Sequence, residues 1–355
     1  MQHELILSHR KKEKRRFLVL IILVIFLVTG CLIFTGLGVI KIPPWEITRI
    51  IFSLLSADSK TVAGLDDIHR AVILDIRLPR ILSAVLVGAG LATAGAVLQG
   101  LLVNPLADPY TLGVSTGAAF GAALAIFFGI FLPGSLAMLT VPLFAFAGAI
   151  VALGAVYSLA LVNGTLAVTN LILSGVIVSA ILSAAVSFLK SMAGEGVGSI
   201  VFWLMGSFAS RGWHHVLLCL PPVAAGLLIC YYYADDLNIL SLGVSSARQL
   251  GIDDGKVITI LLITSSMITA ACVSISGIIG FVGLIVPHLM RMIVGPDHRI
   301  LIPASALGGA LLLSGADTIA RNLLTAEIPV GVLTTLLGGP FFCYIFKIKT
   351  KKQMY

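Results

Sequence analysis

The chain has 355 residues, of which 58% are hydrophobic and 11% charged, with a mean hydropathy of +1.08 and a formal net charge of +7. A water-soluble fold of this length needs a charged coat that this composition cannot supply, so one to three soluble domains are excluded. A β-barrel is excluded too, because its strands read as short alternating segments rather than long apolar runs.

HRKKEKRR at 9–16 carries six basic residues and KIKTKK at 347–352 carries four. Nucleic acid would attract such runs, but both flank apolar spans, where the positive-inside rule accounts for them. Residues 1–16 and 347–355 are therefore expected in the cytoplasm, with an even number of spans between them. The first span reads 17–40. Its VTGC at 28–31 resembles a lipoprotein signal, yet the apolar run continues through LIFTGLGVI, so an uncleaved helix is expected. Residues 41–76 mix Glu46, Arg49, Asp58, Lys60, Asp66, Asp67, Arg70 and Asp75 with Trp45, which suits an extracytoplasmic, interfacial segment.

The second span, 81–104, follows the sequence RLPR. Ala84, Gly88, Ala92, Ala96 and Gly100 recur every fourth position and form a smooth ridge for close helix contact. The span carries Gln99 and Asn104, then breaks at NPLADPYTLG. Broken backbone at a membrane boundary is buried in protein or lines a cavity. Asn104 and Leu106 are thus either pathway residues or parts of a capped turn. No Asp, Glu, Lys or Arg occurs from 109 to 189. At about 20 residues per span, that stretch supplies 111–131, 139–162 and 169–190. The last of these bears Thr169, Asn170, Ser174, Ser179, Ser183 and Ser187, a stripe that suits a polar route or simple bonding back to the helix.

Residues 197–210 are apolar but short and are expected as a half-span or an interfacial helix on the outside. A sixth span covers 214–234. His214 and His215 are adjacent and point apart on a helix, so they do not share a metal, although one alone could bind a haem iron. Residues 235–256 then lie inside, as a short helical hairpin that docks on another protein or as a connector folded on its own helix ends. GIDDGKV within this stretch has three residues between its glycines and valine after lysine, so it is no Walker A. The remaining spans read 257–275, 280–294, 300–320 and 331–348. The eighth is short and holds Pro287, which predicts an irregular span shielded by neighbours.

Ionisable groups in or near spans are few: Asp108, Lys190, Glu195, Arg291, Asp317 and Arg321. Asp317 and Arg321 are spaced to pair on one helix face. No buried carboxylate relay stands out, although an ion-gradient-driven secondary transporter of a small organic solute is the alternative reading. The five cysteines lie in apolar runs without CxxC spacing and read as small core residues. No cofactor or metal site is expected.

Five segments, taken together, resemble one family. They are RLPRILSAVLVGAGLATAGAVLQGLLVNPLADPYTLGVSTGAAFG (77–121), LNILSLGVSSARQLG (237–251), GIIGFVGLIVPHLMRMIVGPDHR (277–299), ADTIARNLL (316–324) and AEIPVGVLTTLLGGPFF (326–342). They are similar, in order, to the iron-siderophore, haem and vitamin B12 permeases, the transmembrane subunits of type II ABC importers. The likeness covers nearly the whole chain and is weakest over 41–70, 125–165 and 190–235.

The resemblance implies an all-α polytopic membrane protein of about ten transmembrane helices, vitamin B12 permease-like, as a single permease domain over 1–355. It implies a homodimer with the pathway between two copies, two cytoplasmic ABC ATPase subunits and an extracytoplasmic solute-binding protein, in a bacterial or archaeal cytoplasmic membrane. The implied cargo is a metal chelate: ferric siderophore first, then haem, then cobalamin. Arg77, Arg80 and Arg321 match the family's arginines that meet acidic groups of the binding protein. Leu240, Leu242, Gly243, Ser245, Ser246, Ala247, Arg248, Gln249, Leu250 and Gly251 match its ATPase-coupling helices. Asn104 and Leu106 match one gate element, and Val168 and Thr169 a second, where valine leaves steric closure only. ATP hydrolysis would belong to a separate subunit.

Overall fold

The computed structural model describes residues 2–38, 40, 42–55, 66–162, 165–166, 168–323 and 326–353. Asp58 and Lys60 of the outer segment lie outside them. Fourteen helices follow in chain order among the described residues: α1 (Gln2–Gly36), α2 (Pro44–Leu55), α3 (Asp67–Leu101), α4 (Val114–Phe127), α5 (Thr140–Ala160), α6 (Val168–Met192), α7 (Val197–Leu204), α8 (Trp213–Tyr232), α9 (Ala234–Leu240), α10 (Val244–Gln249), α11 (Asp254–Ser276), α12 (Val282–Val294), α13 (His298–Asn322) and α14 (Val330–Gln353). The described strands are a two-residue ribbon, Leu161–Val162 against Thr165–Leu166.

Ten of these helices answer to the ten expected spans. Seven are long and apolar enough to cross a membrane, while α4, α12 and the apolar part of α14, Val330–Cys343, are shorter. The half-span is α7. The largest departure is α3, which starts at Asp67 instead of 81. A π-turn over Val72–Arg77 widens the helix just ahead of Pro79. That wider turn accommodates a residue that lacks an N–H and would clash with the preceding turn. Arg77 and Arg80 thus lie well inside a helix rather than at its mouth.

α3 is buried nearly all round, whereas α1 is exposed along its apolar length. The ridge explains the difference. A Cβ on Gly88 would overlap the Gly309 carbonyl of α13, and one on Gly95 would overlap the Gly283 carbonyl of α12. Backbone meets backbone at both points, which is how membrane helices gain dispersion contact without a hydrophobic driving force.

The short spans end where the backbone breaks, and the breaks satisfy one another. Ser207 N donates to Ser276 O (2.8 Å) and Gly331 N to Gly206 O (3.2 Å). The Arg211 guanidinium reaches Ile275 O. Tyr110 Oη donates to Ile279 O (2.6 Å) and accepts from Ile279 N (3.2 Å). Phe281 takes the left-handed conformation (φ 69°) as α12 begins. The helix runs unbroken through Pro287, so the irregularity expected there falls instead upstream at 277–281, while Val282 to Pro287 are buried as expected of a shielded span.

The ridge can be tested by adding one methyl group. Gly95→Ala should lower the thermal unfolding midpoint in detergent, since overpacking costs about 1–3 kcal/mol. Gly154→Ala, where a Cβ meets nothing within 4 Å, should stay within about 0.5 kcal/mol of wild type. Equal shifts would contradict the packing argument.

Candidate functional site

The C-terminal ends of α1 and α13 and the N-terminal part of α3 converge on a charge cluster. The Arg77 guanidinium donates to Thr35 O (2.8 Å), Gly36 O (3.2 Å) and Ile40 O (2.6 Å). It closes the C-terminus of α1, where carbonyls lack helical partners and a cation is favoured. Arg80 holds Asp317 through two hydrogen bonds (2.9 and 3.0 Å) and both Glu327 oxygens through Nη1 (3.0 Å each). The Asp317 side chain is 2% exposed and that of Glu327 47%. Arg321 Nη2 donates to Phe34 O, and its Nε is buried without a partner. The expected pairing of Asp317 with Arg321 is therefore corrected. The guanidinium of Arg80 claims the carboxylate in a two-point fork, which a helix neighbour does not match. The three arginines do not stand free in solvent: they lock α1 onto α3 and α13.

At the opposite end, α3 stops at Leu101 and the chain turns. Val103 is left-handed (φ 45°), and Asn104 Oδ1 accepts from Leu106 N (2.9 Å). Both gate candidates are exposed, Leu106 at 44%. Asp108 Oδ1 accepts from Tyr110 N (2.8 Å) and caps a single tight turn over Pro109–Leu112. Burial pushes the Asp108 carboxyl up to about 6, against the pull of that hydrogen bond. This turn packs on α6, where a Cβ on Gly175 would strike Thr111 O. Thr169 is exposed in the first turn of α6, and the Val168 side chain lies outside those described. The hydroxyl stripe divides. Ser174 is buried and Ser179 bonds Thr116 (3.2 Å), whereas Ser183 and Ser187 sit on the open face of α6.

The hairpin expected at 235–256 is α9 and α10, joined at Gly243 (φ 113°) and ended by Gly251 (φ 83°). Its members divide by burial. Leu240 and Ala247 form its packed side, while Leu242 and Leu250 are 73% and 65% exposed. Ser245, Arg248 and Gln249 are exposed and Ser246 half-buried. Arg248 grips Asp254 at 2.7 and 3.0 Å. Asn238 latches the hairpin to α13. Its Nδ2 donates to Asp297 Oδ1 (2.9 Å) and its Oδ1 accepts from His298 N (2.8 Å).

Sequence reasoning passed over Asn238, Tyr110 and Arg211. A polar residue inside an otherwise apolar run was the available signal. His215 accepts from Gly212 N and serves as a helix cap, while His214 is exposed. Cys219, Cys230 and Cys272 are core residues as expected, but Cys343 is exposed, because α14 turns that face outward.

Against known proteins, the model of the FecCD transport family matches residues 19–347. The cobalamin import system permease protein of Halobacterium salinarum is 46% identical over 304 residues, covering 86% of this chain and 79% of that protein. The molybdate import system permease protein of Haemophilus influenzae is 39% identical over 330 residues, covering 92% and 95%. A solved structure described as an inward-facing conformation of a metal-chelate type ABC transporter superposes with a TM-score of 0.81 at 37% identity, covering 93% of this chain and 99% of that one.

Two substitutions weigh the charge cluster. Asp317→Asn leaves Arg80 short of its buried partner and should cost about 3–5 kcal/mol. Glu327→Gln, half-exposed, should cost under about 1 kcal/mol. Unfolding midpoints in detergent check the order, and equal losses would contradict it. Asp108 sets a pH dependence. The folded chain holds that proton more tightly than the unfolded chain, so its contribution to stability is lost as pH rises from about 4 to about 6. Asp108→Asn keeps a capping oxygen and should flatten the midpoint-against-pH curve across that window. Parallel curves would refute the assignment.

Proposed function

The chain belongs to the FecCD transport family, and from that premise we propose that it forms one half of a two-copy pathway that takes a metal chelate from a solute-binding protein outside and is driven by ABC ATPase subunits inside. It is a multi-pass membrane permease of the ABC-importer type.

The α9–α10 hairpin carries this reading. One of its sides packs against the helix ends, and the other offers Leu242 and Leu250 to a partner. The Asn238 latch gives movement of the hairpin a rigid path into the foot of α13. With both termini and this hairpin in the cytoplasm, the surface meets a motor subunit. Exposed leucines fit a groove on such a partner, and the Arg248–Asp254 fork keeps α10 in register with α11.

Three further assignments follow. The open face of α6, with Ile177, Ile181, Ser183 and Ser187, and that of α14, with Leu336 and Leu337, would face the second copy and the pathway. Asn104, Leu106, Val168 and Thr169 would close its inner end. The solute-binding protein would dock over Arg77, Arg80 and Arg321. A partner carboxylate reaching Arg80 has to displace Glu327, the more exposed of its two acids.

The cargo is proposed as a metal chelate. The 46% identical relative is named for cobalamin, which supports ranking a corrinoid ahead of a ferric siderophore and haem. The molybdate relative supplies the competing class.

Mild-detergent pull-down of the tagged chain should bring an ATPase with a complete Walker A. Leu242→Asp combined with Leu250→Asp should remove it, while leaving the permease monodisperse. Retention by the double variant would refute the hairpin assignment. A panel of labelled cobalamin, ferric hydroxamate, hemin and molybdate, presented with the cognate binding protein, decides the cargo. Uptake of molybdate alone would overturn the chelate class.

A further inference from the structure

At the cytoplasmic end, between α1, the end of α3, α9 and the start of α13, lies a cavity of about 590 Å3. Its wall includes Arg16, Gln99, Asn104, Asn238, Arg291 and His298. Asn104 of the proposed gate and Leu242 of the proposed motor-docking face border it, and no role assigned above fills the cavity itself.

Its polar groups are unevenly satisfied. Among the described residues Arg291 makes one hydrogen bond, from Nη1 to the neutral Oε1 of Gln99 (3.0 Å), and no ion pair. Its other N–H groups remain for the cavity. Arg16 stands 3.8 Å from Asp297, whose carboxylate is already shared with Asn238 and Arg299. Asn104 uses its oxygen on Leu106 N, which leaves its amide as a donor. His298 is 4% exposed, with Nδ1 on Asn238 Oδ1 (2.8 Å) and Nε2 buried without a partner. That nitrogen lies against Gly100, where any Cβ would come within 2.7 Å of it. Only glycine leaves the ring this place in the wall.

Beside the Asp297 carboxylate, already shared among its partners, the wall thus keeps the spare N–H groups of Arg291, the Arg16 guanidinium and the Asn104 amide as donors, and Arg291 has no carboxylate of its own, whereas His298 Nε2, its Nδ1–H spent on Asn238, is an acceptor. Such a set selects an anionic ligand with several acceptor oxygens, and guanidinium forks match phosphate. The surroundings narrow the source. Arg16 sits at the foot of α1, whose Phe17, Leu18, Ile21 and Ile25 are exposed in the manner of a lipid-facing helix. Basic pockets between membrane helices at the cytoplasmic surface take anionic headgroups.

We propose that this cavity binds a phosphate group, carried by an anionic phospholipid headgroup or free in solution, between Arg291 and Arg16. Because Asn238 and Asn104 share its wall, the bound phosphate ties the α9–α10 hairpin to the foot of α3 and α13. The phosphate reading depends on neither the cargo nor the motor, although a motor docked through Leu242 would sit beside the site. It needs only that this end of the bundle lies at a membrane surface.

The test uses the purified full chain in a neutral detergent. Native mass spectrometry reads the retention of phosphatidylglycerol against phosphatidylcholine, and thermal shift reads stabilisation by millimolar inorganic phosphate. Wild type should prefer phosphatidylglycerol, Arg291→Gln and Arg16→Gln should each lower its retention about tenfold, the scale of one charge-assisted contact, and Arg291→Lys should keep most of it. Lys256→Gln, on the same surface outside the cavity, should behave as wild type. Loss of lipid retention alone assigns the site to a headgroup. An Arg291-dependent phosphate shift alone assigns it to free phosphate. If wild type shows neither response, or if the Arg291→Gln and Lys256→Gln chains respond alike, the proposal fails. The comparison of lipids on wild type stands even if Arg291→Gln does not fold.

Discussion

Backbone contact between α3 and its neighbours is the constraint on which the rest of the molecule depends. A bilayer gives helices no hydrophobic reason to pack, so affinity must come from close approach. Gly88 against Gly309 and Gly95 against Gly283 supply that approach at two heights of one helix. Once α3 is fixed against α12 and α13, Gln99 meets the Leu284 carbonyl (3.1 Å) and Arg80 meets Asp317. The charge cluster around Arg80 and the turn after Leu101 thus lie toward opposite ends of one helix. Movement imposed at either end has α3 as its common frame.

The second organising principle is the cost of unpaired backbone in lipid. The chain breaks its helices at 205–212, at 277–281 and before 330, and these breaks bond to one another and to the adjoining helix end. Tyr110 adds a side chain to the node through Ile279. Irregular backbone of this kind is where a transporter can change shape without unmaking a helix. It also explains why α12 is too short to span alone yet sits in the bundle.

Much of this was legible in the sequence. Apolar runs, Gly and Pro punctuation and the basic termini give ten helices, because span length is set by bilayer thickness. The every-fourth small residues of 84–100 announced the buried helix, and the mixed character of 235–256 announced the hairpin. Side-chain partners were not legible, because they depend on helices far apart in the chain. Arg77 faces carbonyls some forty residues earlier, and Arg80 an acid near the end of the sequence. Spacing alone paired Asp317 with Arg321, since an i, i+4 rule sees one helix only. The start of α3 was misplaced for a related reason: charges before Arg77 read as a loop, whereas the helix continues beyond the apolar stretch.

The central claim is that this chain is a gated conduit whose work is done by motors it does not contain. Uptake into proteoliposomes tests it most directly, with the chain reconstituted alone or with its ATPase subunits, binding protein outside and ATP inside. The account predicts accumulation of labelled chelate above the external concentration only in the complete system, and none under a proton or sodium gradient with the ATPase omitted. Gradient-driven accumulation by the chain alone would contradict it.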